Sequence, residues 1–169
     1  MRIADIGLTN VTAIRFDFGT GTLQENGGVG YKEFDAYGSY PASGASASGE
    51  SRADAYAPSP SDLLQTAAAS RDNAIPPYPG SPADVAALTD GSCGTGGSDG
   101  ACVVTNGSVT YWLDTAAHPA GYTVTGLDTY AGWTDTARAG QNHTASFLKV
   151  GSDLFADTVT AAYTATQSQ

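Results

Sequence analysis

The chain has 169 residues and a formal net charge of −10, and Gly, Ala, Thr and Ser make up about half of it. Seven Lys and Arg residues cannot form the basic stripe that a nucleic acid or an anionic membrane surface requires, and no apolar run approaches the ~20 residues that span a bilayer. A 41% hydrophobic content with 9% aromatic residues can fill a core, which excludes disorder throughout.

Residues 13–18 alternate cleanly. Ile14, Phe16 and Phe18 fall on one face, with Arg15 and Asp17 on the other, the pattern of a half-buried strand. Gly19-Thr20-Gly21 ends it, and Glu25-Asn26-Gly27-Gly28 marks a turn. A second strand is predicted over 29–37, with Phe34 and Ala36 inward and Glu33 and Asp35 on the opposite face. Residues 39–61 lack periodicity and read as a Ser/Ala/Gly/Pro-rich linker of 23 residues, which as a flexible coil bridges about 25 Å. Residues 62–69 are expected to form a short helix capped by Ser61 or an edge strand, and 73–82 is Pro-rich and irregular.

Further strands are predicted at 103–113, 122–130, 144–150 and 158–166. Val109, Tyr111 and Leu113 share one face of the first of these, and Val159, Ala161 and Tyr163 share one face of the last. The expected fold is therefore all-β, an antiparallel sandwich of about eight strands. The two N-terminal strands alone would be marginal in water, so residues 62–169 are expected to cover their apolar face.

Cys93 and Cys102 flank a Gly/Ser-rich loop with eight residues between them. A disulfide closing that loop is the preferred reading and two buried or free thiols the alternative; zinc would need further ligands that do not cluster nearby. The composition suits an extracellular or cell-surface protein. Residues 1–5 show neither an apolar segment nor a cleavage motif, so no signal peptide is visible. An extracellular setting would permit glycosylation at the sequons of Asn10, Asn106 and Asn142.

The pair of segments Ala13-Ile14-Arg15-Phe16-Asp17-Phe18 and Gln24-Glu25-Asn26-Gly27-Gly28-Val29-Gly30-Tyr31-Lys32-Glu33-Phe34-Asp35-Ala36-Tyr37-Gly38 resembles the closing strands of the discoidin-like family. These are the coagulation-factor 5/8 type C, galactose-binding-like jelly rolls, many of them in bacterial surface proteins. Ala87-Leu88-Thr89-Asp90-Gly91, Ser108-Val109-Thr110-Tyr111-Trp112-Leu113-Asp114 and the segments 121–127 and 133–141 are similar to the opening of the same fold. Closing strands precede opening strands here, so the resemblance implies a jelly roll built from two segments in permuted order. A circular permutant, a junction of tandem domains, and completion of one copy's sandwich by residues 1–38 of the next all fit that order.

The resemblance also implies sites. A structural Ca2+ would take Asp90 and Glu33 as carboxylate ligands, with Ser92 and Thr95 offering further oxygens; the plainer alternative makes Asp90 a turn cap and Glu33 a solvated strand residue. A glycan would be gripped by a loop in which Trp133 and Tyr130 supply aromatic faces and Asp135, Arg138 and Gln141 take hydroxyls; the plainer alternative has Trp133 plug the core. Gly96-Gly97-Ser98-Asp99-Gly100 matches a nucleophile-elbow pattern but lacks the strand-to-helix context, with only His118 and His143 as candidate bases.

No enzyme is expected. The expected function is a non-catalytic extracellular structural subunit that assembles head-to-tail, residues 1–38 completing a neighbouring sandwich. The alternative is a monomeric glycan-binding module. The expected partners are accordingly a second copy of the chain or a cell-surface glycan, with neither nucleic acid nor membrane insertion.

Overall fold

Alternation at the start of the chain becomes two long strands, and both lie in the middle of the structure. The computed structural model describes residues 1–18, 29–39, 58–59, 62–65, 67–72, 85–94, 102–104, 107–134 and 140–163. Most of the expected linker, Ser61, the Gly96–Gly100 motif, Thr95, Asn106, Asp135 and Arg138 lie outside the described residues. Nine strands are present among those described: β1 (Arg2–Ile3), β2 (Leu8–Phe18), β3 (Val29–Ser39), β4 (Ala68–Asp72), β5 (Cys102–Val104), β6 (Gly107–Trp112), β7 (Tyr122–Ala131), β8 (Gln141–Lys149) and β9 (Ala156–Tyr163). A 3-10 helix spans Val85–Thr89. Every pairing is antiparallel.

β2 belongs to both halves of the sheet. Its start pairs with β7 (Leu8 opposite Val124, Val11 opposite Tyr122). After a register shift, residues 13–18 pair with β6 along one edge and β8 along the other. β4 extends this group beyond β6 and β9 extends it beyond β8. The second group sets β7 between β1 and β3, with β5 beyond β3. The groups face each other through aromatic rings: Phe16 stacks on Phe34 with centroids 4.5 Å apart, and Phe18 lies 5.2 Å from Tyr31. The result is an all-β, sandwich-like architecture compatible with a jelly roll. Its core also takes Val11, Ile14, Val109, Tyr111, Leu127 and Phe147. Each such side chain contributes about 1.5–3 kcal/mol on leaving water.

β1, β2 and β3 thus pair with β5, β6, β7 and β8 of their own chain. The predicted strand over 103–113 is two strands in different groups: β5 ends at Val104 and β6 begins at Gly107, whose φ is +114°. Neither reading holds over 62–69 as a whole: 62–65 is a turn, and the strand β4 begins only at Ala68. Alternation places Val109, Tyr111 and Leu113 in the core while Trp112 stays 45% exposed and donates its indole N–H to Ser70 Oγ at 3.1 Å.

Candidate functional site

β3 departs most from its expected pattern. Alternation assigns Glu33 and Asp35 to the face opposite Phe34, yet both are 0% exposed. Segments remote in sequence produce this by closing over β3. A bulge between Tyr31 and Glu33 also inserts Lys32 as an extra residue. Lys32 Nζ donates to the Cys93 carbonyl at 3.0 Å, and the Gly91 N–H donates to Glu33 Oε1 at 3.3 Å.

Beyond β5, the remaining edge of β3 is met by the 62–65 turn. The Leu63 N–H donates to the Ala36 carbonyl at 2.9 Å, and the Ala36 N–H donates to Asp62 Oδ1 at 3.0 Å. Asp62 Oδ1 also accepts the Leu64 N–H at 2.7 Å. Its side chain therefore stands in for a strand carbonyl and shapes its own turn.

Glu33, Asp35 and Asp62 form one cluster, each offering a carboxylate oxygen within 4.8 Å of the others. Asp62 is 8% exposed. Among the described residues, Glu33 Oε2, Asp35 Oδ1 and Asp62 Oδ2 have no hydrogen-bond partner. Burial pushes Glu33 up to about 9 and Asp62 up to about 7, and it raises Asp35 in the same direction. Next along the sheet, Asp35 Oδ2 accepts the Ser59 N–H at 2.8 Å, and the Tyr37 hydroxyl lies 3.0 Å from Asp35 Oδ2 and 3.1 Å from Asp128 Oδ2. Asp128 is neutralised by Arg2, which donates from Nε at 2.9 Å and closes an ion pair at 2.5 Å. Thus one outer row holds a paired carboxylate, Asp128, and a cluster of three.

Of the Ca2+ ligand set expected from the sequence, Thr95 lies outside the described residues, and Asp90 and Ser92 make contacts within their own loop. Asp90 is exposed and its Oδ1 accepts the Ser92 N–H at 2.9 Å, while Ser92 Oγ accepts the Gly94 N–H at 3.1 Å. These are turn-forming contacts, so Asp90 takes the plainer role. Glu33 meets that loop through Gly91 but clusters with Asp35 and Asp62. It is buried, and the solvated alternative for it is overturned. Asp62 had no signal as a cluster member beyond its place at a turn.

The expected disulfide is not formed: Cys93 and Cys102 are two buried thiols. Cys102 is committed to β5 opposite Tyr31, and Cys93 is tied to Lys32. Burial pushes the Cys93 thiol up to about 12, so the thiolate needed for disulfide formation is scarce.

Of the proposed sugar platform, Asp135 and Arg138 lie outside the described residues, and Trp133 is covered. Trp133 is 9% exposed, and its ring lies so close over Gly30 that a Cβ there would meet Cε3 at 2.6 Å. Gln141 turns to β7, where its Nε2 donates to the Thr129 carbonyl at 2.9 Å. Half-buried Tyr130 associates with Asp35. The three are thus engaged with different neighbours. Of the sequons, Asn10 is exposed and Asn142 half-buried.

His143, one of the two candidate bases, sits inside the aromatic core, 5.6 Å from both the Phe16 and Tyr31 ring centroids. Tyr31 Oη lies 3.2 Å from its Nδ1 and accepts the Asn142 N–H at 3.0 Å, which suits a neutral imidazole accepting at Nδ1. Burial pushes His143 down to about 4, with the N-terminal ammonium adding to the effect.

No protein-family model, curated protein or solved structure matches the chain. Among the described residues, no helix is long and apolar enough to cross a membrane.

Proposed function

We propose that this chain is a non-catalytic, extracellular structural module of permuted jelly-roll type that assembles by exchanging its N-terminal strands between copies. The supporting observation is the central place of β2 and β3. All their strand pairings run to β5, β6, β7 and β8, across the segment that follows Ser39. Donating residues 1–38 to a neighbour would reproduce each of those contacts and alter only the connection, which makes exchange a low-cost route to dimers and chains. The covered ring of Trp133 favours this reading over glycan binding through the same loop.

Light scattering coupled to size exclusion tests it. Larger species are expected to gain weight as concentration rises. Deleting residues 42–55 shortens the connection and is expected to shift the population strongly toward exchanged oligomers. A strictly monomeric, folded protein at every concentration, with and without the deletion, would sink the proposal.

A further inference from the structure

We infer that Glu33, Asp35 and Asp62 form a binding site for one divalent cation of the Ca2+ class, which fastens the 62–65 turn to β3. The inference is independent of strand exchange, since it concerns a site described within a single chain. Its geometry is that of a cation shell. Opposite ligands of Ca2+ stand about 4.6–5.2 Å apart, twice the usual 2.3–2.6 Å bond, and the three carboxylates bring their oxygens within 4.8 Å of one another.

A second observation is separate from proximity. Each carboxylate is at least nine-tenths buried and, among the described residues, each keeps one oxygen without a hydrogen-bond partner. Buried polar atoms are ordinarily satisfied, and three orphaned oxygens in one cluster identify a place for a ligand that accepts only oxygen donors. A set of three carboxylates, without His or Cys in the cluster, selects a hard cation over zinc or copper.

Two neighbouring cations have partners outside the cluster. The Arg2 guanidinium is paired with Asp128, and the Lys32 ammonium donates to the Cys93 carbonyl. The remaining oxygens of a six- to eight-fold shell would come from water and second carboxylate oxygens. Mg2+, whose octahedral shell is tighter and which dehydrates reluctantly, suits this dry cluster less well.

The test is calorimetric titration of the chelator-treated full chain with CaCl2, followed by thermal unfolding with Ca2+, with Mg2+ and with chelator. One Ca2+ per chain is expected, with the unfolding midpoint raised by about 5–10 °C at a hundredfold excess over Kd and a smaller effect of Mg2+. Asp62→Asn is expected to weaken binding at least tenfold, and Asp90→Asn to bind as the unaltered protein does. A second reading needs no variant: Tb3+ at the cluster should show emission sensitised by Tyr37 and displaced by Ca2+. Absence of heat, midpoint shift and sensitised emission would overturn the site in favour of carboxyls that simply share protons. Loss of binding in Asp90→Asn but not in Asp62→Asn would relocate the ion to the 90–94 loop and equally overturn it.

Discussion

A histidine whose ring is enclosed by Phe16, Phe18, Tyr31 and Phe34 couples this fold to acid. His143 falls to about 4 when folded, against an ordinary value of 6.5. Between those values the unfolded chain binds more protons than the folded one, so stability drops as pH falls through that window. The loss attributable to His143 is about 3 kcal/mol across it. The buried carboxyls, raised rather than lowered, act in the opposite direction, so the comparison must be made against a variant. His143→Phe is expected to be distinctly less sensitive to acid than the unaltered chain, read as the difference in urea midpoints at pH 4.5 and 7. Equal losses in both proteins would show that the imidazole is not the group concerned. Sequence alone places His143 within a sequon with no sign of burial; only the strand ladder reveals that it lies opposite Phe18.

At the scale of an element, β3 combines a predictable alternation with unpredictable surroundings. Phe34 and Ala36 are inward as the period of two demands. Burial of Glu33 and Asp35 comes from segments near residues 60 and 90, and nothing in the local pattern announces such cover. Close approach to β7 leaves its own mark: a Cβ on Gly38 would sit 1.8 Å from the Thr123 carbonyl oxygen. Gly38→Ala is expected to destabilise the protein by about 2–3 kcal/mol through a forced backbone shift, measured as a lowered urea midpoint. Phe16, stacked on Phe34 and edge-on to Tyr111 at 6.0 Å, links the two sheet groups. Phe16→Ala is expected to cost about 3–5 kcal/mol. A loss below 1 kcal/mol for either would contradict the packing described.

The whole molecule was legible in class but not in its contacts. Alternation and turn residues indicated an antiparallel all-β chain, and the marginal N-terminal pair implied that the second half must cover it. The split of 103–113 between groups was marked only by one Asn-Gly step. The cluster of Glu33, Asp35 and Asp62 was hidden because its members come from a strand and a remote turn. With β2 and β3 interior and β4 and β9 at the margins, amide exchange should be slowest in the first two and fastest in the last two. Hydrogen exchange read by mass spectrometry checks this, and equal protection of β2 and β9 would contradict the topology.

The shared strand β2 also sets a timetable for synthesis. Phe18 has ladder partners at Gly107 and His143, so at about 5–20 residues per second roughly 4–18 s pass on the ribosome before it can meet the first and 6–25 s before it can meet the second. Until the first of these, β2 and β3, rich in Phe and Tyr, have no remote partner strand. β2 and β3 are therefore made well before the strands that flank them, and a nascent-chain holdase would have a long task on these two.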